Sequence, residues 1–182
     1  METNPEKICL IVGSGAVAYS WDPILKALQP EYTFSLDPDS ANTFLAVFIY
    51  QLRFMALRKE KEGQEILQKM LNDFNSIKYR ICQELNIAQQ NKNIFPQKEF
   101  YQILDKYIFQ KNVEFTLIST NWDFAIDNAI NEYGHSKESV DGRINTFHLH
   151  GDISNLRNLY MPSEIVSEFY RIEEDEITMR RN

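Results

Sequence analysis

Residues 115–127, FTLISTNWDFAID, constrain the fold more than any other stretch. Phe115, Thr116, Leu117 and Ile118 are apolar or β-branched and lack helical spacing, which predicts a buried strand. Ser119, Thr120, Asn121, Trp122 and Asp123 follow at once, and a helical pattern runs from Phe124 to Tyr133. Polar side chains at the carboxyl end of a buried strand lie where open α/β sheets bind ligands. A second stretch, TFHLHGD at residues 146–152, reads as another short strand, ending in His150-Gly151. Two strand tips carrying Asn121, Asp123 and His150 therefore predict one site. The alternative reading is that Asn121 and Asp123 cap the following helix.

The first predicted strand, ICLIV at residues 8–12, runs into Gly13-Ser14-Gly15-Ala16. A glycine turn after a strand lets backbone N–H groups approach an anion closely. Residues 13–18 also fit GxGxxA, with Asp37 and Asp39 about 20 residues on, where a dinucleotide fold keeps its ribose-binding acid. Pro23 is incompatible with a helix that starts at Ala16, so the helix is expected to begin near Asp22 with Pro23 in its first turn. YTFSL at residues 32–36 is a candidate second strand, and Asp37-Pro38-Asp39-Ser40 reads as a turn leading into a helix cap.

From there to about residue 110 the pattern is helical. Phe44, Leu45, Val47, Phe48, Leu52, Met55 and Ala56 form one apolar face. Beyond a break near Gly63, Ile66, Leu67, Met70, Leu71, Phe74, Ile77, Ile81 and Leu85 form a second. Residues 89–93 read as a polar loop. Pro96 and Gln97 open a third helix, with Phe100, Ile103, Leu104, Tyr107 and Ile108 inward. Such stripes are core surface rather than chemistry. The fold expected is α/β, a single domain over residues 1–182: a Rossmann-like parallel sheet flanked by helices, with an inserted helical lobe at approximately 40–110. After the helix that ends near Gly134, residues 135–143 read as a loop, with His135 solvated. On a strand His148 and His150 share a face. His150, at the tip, is the better base, and His148, deeper, packs or hydrogen-bonds. Residues 173–176 form a charged run read as a solvated face.

The chain has 182 residues, is 43% apolar and carries a net charge of −7, which argues against a nucleic-acid surface. Its basic clusters, Arg58-Lys59 and Arg180-Arg181, are short. Cys9 and Cys82 show no CxxC or Cys/His spacing, so two reduced thiols and no metal site are expected. The polar start of the chain does not resemble a signal peptide. No apolar run approaches the ~20 residues of a membrane span. The expectation is a cytoplasmic protein that meets neither membrane nor nucleic acid.

Three segments taken together resemble the sirtuin superfamily. IVGSGAVAYSW resembles its GAGxS motif, with Val17 at the serine position. STNWDFAIDNAI resembles its T-x-N-x-D element, in the TTNYD form of bacterial members, with Trp122 replacing the tyrosine. FHLHGDI resembles its HG element. The order of the three also agrees. The pattern is closer to the sirtuin-like domains of bacterial antiphage defence than to protein deacylases, whose zinc module of two CxxC pairs has no counterpart here. The resemblance implies an NAD glycohydrolase that depletes NAD, taken as a substrate, with no zinc. By motif position, Asn121 would hold the ribose and a water, Asp123 would bind the nicotinamide carboxamide, and His150 would act as base. Gly13, Ser14, Gly15 and Ala16 would receive the pyrophosphate, and Trp122 would contact the cofactor. Defence members work in assemblies, so a homo-oligomer or a second defence protein is the implied partner. Relatives continue further beyond the HG element, so the domain is expected to be short at its C-terminus. Two alternatives stand beside this reading: a non-catalytic subunit that binds NAD or ADP-ribose, and a dinucleotide-dependent oxidoreductase.

Overall fold

The computed structural model describes residues 6–31, 37–108, 113–135 and 144–164. Three parallel strands, β1 (Glu6–Val12), β4 (Val113–Ser119) and β5 (Ile144–His148), form a sheet in the order β1-β4-β5. A two-residue antiparallel pair, β2 (Val17–Ala18) with β3 (Phe95–Pro96), ties the loop after β1 to the start of the last helical stretch before β4. The helices are α1 (Asp22–Leu28), α2 (Pro38–Ala56), α3 (Lys61–Gln90), α4 (Lys98–Ile103) and α5 (Ala125–His135), and α4 continues into a π turn at Leu104–Ile108. The chain is thus a mixed α/β protein. No helix among the described residues is long and apolar enough to cross a membrane.

The sheet register sets the core. Ile8, Phe115 and Ile144 align across the strands, as do Leu10, Leu117 and Thr146, and then Val12, Ser119 and His148. In β4, Val113, Phe115, Leu117 and Ser119 are buried while Glu114, Thr116 and Ile118 are only partly covered. The strand expected to be buried throughout therefore alternates, because side chains point to opposite faces with period 2. On the other face Ile11 is 67% exposed and Phe147 58% exposed. Cys9 lies on that face and is exposed; Cys82 is buried, both thiols are free, and burial pushes the Cys82 thiol up to about 11.

Helix positions follow from local chemistry. Pro23 occupies the first turn of α1, where its missing N–H costs nothing. Asp37 caps α2, accepting from Ser40 N and Ser40 Oγ at 2.8 Å each. The α2 core residues are Ala41, Leu45, Ile49 and Leu52, all fully buried, and Leu45, Ile49 and Leu52 each contribute about 1.5–3 kcal/mol. Val47, expected inward, is exposed, and Ile49 takes its place, as the 3.6-residue period requires. Ile66 and Tyr107, also expected inward, are exposed as well. Phe48 of α2 stacks on Phe74 of α3 at 5.8 Å between ring centroids. One hydrophobic core joins these helices to the sheet through Val12, Ile81, Leu85, Phe100, Phe115 and Ile126.

Two expected boundaries move. The stretch read as a polar loop from residue 89 begins inside α3, whose last turn includes Gln89 and Gln90. Gln89 Oε1 there accepts from Phe124 N at 2.8 Å and so steadies the start of α5. His135 belongs to α5 rather than to the following loop. The expected strand at residues 32–36, the loop at 136–143 and the charged run at 173–176 lie outside the described residues.

Candidate functional site

The carboxyl ends of β1 and β4 and the turn after β5 converge on a cavity of about 420 Å³. That volume lies in the range of small-molecule sites, about 300–1,000 Å³. Ser14, Thr120, Asn121, Trp122, Asp123 and His150 line it from the strand ends. Trp21 just before α1, Ile24 of α1, Asn42 of α2 and Leu85 of α3 close one side, and residues 160–164 close the other.

Each residue at the β4 tip is held by a named contact. Thr120 N donates to Val12 O at 2.9 Å, joining the two strand ends. Asn121 N donates to Ser119 Oγ at 3.1 Å, and Trp122 Nε1 donates to Tyr160 O at 3.1 Å. Asp123 Oδ1 accepts from Ala125 N at 2.9 Å, so Asp123 does cap the turn into α5 while its carboxyl also lines the cavity. The capping and site readings of Asp123 are therefore compatible. Burial pushes the Asp123 carboxyl above the usual carboxylate range, opposed by its hydrogen bond from the Ala125 backbone.

Asn121 differs from its neighbours. Only 7% of it is exposed, and its Nδ2 has no hydrogen-bond partner among the described residues. A buried amide left unsatisfied costs about 1–3 kcal/mol. Asn121 is also one of the residues that line the cavity.

Of Gly13, Ser14, Gly15 and Ala16, only Ser14 lines the cavity. The turn is a 3₁₀ segment at Ser14–Ala16, closed by Ala16 N donating to Gly13 O at 2.9 Å. Ser20 Oγ donates to Ser14 O at 3.1 Å and braces it. Gly13 packs against Thr120, whose Oγ1 would lie 3.2 Å from an added Cβ, whereas Gly15 faces open space.

The two histidines part company. β5 ends at His148, and Leu149-His150 form a turn in which Leu149 N donates to Ser119 O at 2.8 Å. The strand alternation that would put His148 and His150 on one face therefore stops two residues short of His150. His150 lines the main cavity, whereas His148 lines a second concavity with Asp127, Phe124 and Asp152. His148 Nδ1 lies 2.9 Å from Asn121 O and Nε2 lies 3.0 Å from Asp127 Oδ2. The Asp127 hydrogen bond raises His148 above the ordinary histidine value, against the opposing effect of burial.

Gly151 shapes this end of the site. Its φ is +71°, and an added Cβ would stand 1.4 Å from Asn158 O. The chain then returns along the cavity, with Tyr160 N donating to His150 O at 2.9 Å.

Sequence reading missed Asp127, Trp21, Tyr160 and the wall that ends in Glu164. Asp127 lies in the first turn of α5, whereas Asp123 lies in the turn before that helix. The wall carries no local signal, because it is defined by what it packs against. Among the described residues no group of three or more His, Cys, Asp or Glu side chains is arranged to hold a metal ion. A scan against protein-family models, a search of curated proteins and a search of solved structures find nothing that matches this chain.

Proposed function

We propose that this chain is an NAD glycohydrolase that cleaves the nicotinamide–ribose bond to give nicotinamide and ADP-ribose. The observation that carries the reading is the buried, unpartnered Asn121 amide at a strand tip that shares its cavity with Asp123, Trp122 and His150. On this reading the parallel sheet is the core of a Rossmann-like, sirtuin-like domain. Its biological setting is NAD depletion during bacterial antiphage defence, in the cytoplasm, within a homo-oligomer or beside a second defence protein.

The lining chemistry supports a cationic ligand. Trp21, Trp122 and Tyr160 offer aromatic surface, Asp123 is carboxylic, and no Lys or Arg lines the cavity among the described residues. A pyridinium ring is a cation that aromatic faces and a carboxylate favour. The nicotinamide riboside end therefore suits this cavity, and the pyrophosphate belongs outside it, toward the glycine turn. Breaking the bond between ribose C1′ and the pyridinium nitrogen sends the electron pair to nicotinamide and leaves an oxocarbenium-like sugar. Asn121 Nδ2 donates to a ribose hydroxyl, holding the sugar in place. Asp123 favours the positive charge as it moves onto the ring. His150 takes a proton as water adds to C1′.

Nicotinamide release from NAD by wild type, beside Asn121→Ala and His150→Ala, tests this. Release by wild type that falls about 10²-fold in both variants is the expected result. Release that survives both substitutions assigns the chemistry elsewhere. No release, with NAD still raising the unfolding temperature, would instead favour the non-catalytic binding subunit.

A further inference from the structure

The ring of His148 stands between two groups that can only accept. A backbone carbonyl, Asn121 O, faces Nδ1 at 2.9 Å, and a carboxylate oxygen, Asp127 Oδ2, faces Nε2 at 3.0 Å. A neutral imidazole carries one N–H and satisfies one of them; an imidazolium donates to both. The site is shielded enough for this to matter, since the His148 and Asp127 side chains are 8% and 14% exposed. Phe124 packs edge-on against the imidazole at 5.2 Å between centroids and limits its tilt. The charged groups found acting on the ring among the described residues are acidic. Asp127 comes from α5, Asp123 from the turn after β4, and Asp152 from the segment after Gly151. No Lys or Arg among the described residues lines this concavity.

We infer that His148 is a positioning residue, held as an imidazolium that bridges Asn121 and Asp127 and so fixes the strand tip from which Asn121 reaches the cavity. The Asn121 backbone is anchored on both sides of its Cα: its N–H by Ser119 Oγ and its C=O by the His148 ring. A charge-assisted hydrogen bond is roughly twice as strong as a neutral one. Losing the second ring proton leaves either the Asn121 carbonyl or the Asp127 carboxylate facing a bare nitrogen, and the tip loosens. The effect on turnover rests on the glycohydrolase reading, whereas the protonation state and its link to Asn121 do not. Asp127→Asn separates charge from shape. Its carboxamide can donate to Nε2 or accept from it, so a neutral ring then satisfies both neighbours.

The test is ¹⁵N NMR of the full chain, with its three histidines assigned through His→Gln variants. The expected result is a His148 ring protonated at both nitrogens at pH 7. Its titration shifts the Asn121 side-chain amide resonance, and Asp127→Asn moves the midpoint to lower pH. Where nicotinamide release is measurable, kcat/KM falls about tenfold as pH rises through that midpoint, and Asp127→Asn removes the fall. A singly protonated His148 ring at pH 6.5, or an Asn121 amide indifferent to the His148 titration, overturns the inference. Coupling without any release refutes the glycohydrolase and leaves His148 as the residue that aims Asn121 at the cavity.

Discussion

Lys78 Nζ lies 2.8 Å from the Glu164 carboxylate with both side chains out of water, 5% and 0% exposed. Lys78 also donates to Leu159 O at 2.8 Å, and Glu164 Oε2 accepts from Met161 N at 2.8 Å. The pair therefore pins the far wall of the cavity to α3. Removing one member of a buried pair strands the other charge, at about 3–5 kcal/mol, whereas replacing both by neutral groups of similar volume costs far less. Lys78→Met should lose about that amount in denaturant unfolding, and Lys78→Met with Glu164→Gln should recover most of it. A double variant no more stable than the single one would show that the pair is not the wall's main tether.

Gly151 has no substitute at its position. Alanine there meets Asn158 O and also requires a left-handed backbone that costs about 1–2 kcal/mol by itself. Gly151→Ala is expected to lose more than about 4 kcal/mol, as backbone strain and a steric clash combine. Thermal unfolding checks this; a variant with a wild-type melting temperature would mean that the turn can rearrange.

Two pH windows follow from two raised pKa values. Burial raises Asp123 above its ordinary value of 3.8, so its contribution to stability is complete below that value and is lost as pH rises through the folded pKa. Asp123→Asn keeps the acceptor for Ala125 N and removes the buried charge, so it should melt higher than wild type at pH 7, with the gap closing toward pH 3. A gap that widens toward acid would reverse the assignment.

The His148 window lies higher. Asp127 raises His148 above 6.5, so its stabilisation is complete below that pH and is lost as pH rises through the folded pKa. His148→Gln should cost most near pH 6 and least in mild alkali. Melting curves of wild type and variant across that interval decide it, and a pH-independent difference would speak against an imidazolium.

The cavity's charge makes a ligand prediction. NAD carries a cationic pyridinium, whereas the dihydropyridine of NADH is neutral. With Asp123 and three aromatic side chains lining the site, the oxidised form should bind more tightly by about 1 kcal/mol, near fivefold in Kd. Thermal protection of His150→Ala, which should bind without turning over, measures this. Equal protection by NADH would remove the cation from the argument.

Much of the frame was legible in the chain because it is written locally. The apolar runs of β1 and β4, Pro23 in the first turn of α1 and Asp37 before α2 each act within a few residues. The candidate residues Asn121, Asp123 and His150 were legible for the same reason, since strand ends carry polar side chains into the cavity. Of the glycine turn, the strand–glycine pattern reports the tight turn itself, and Ser14 is its residue on the cavity.

The sequence by itself determined the strands, the helix starts and the polar tips, through side-chain periodicity and capping chemistry that involve near neighbours. Only the tertiary structure decided that His148 turns away from His150 to meet Asp127, and that Lys78 and Glu164, 86 residues apart, close the cavity between them. Those pairings depend on where the backbone returns after folding, which no local pattern encodes.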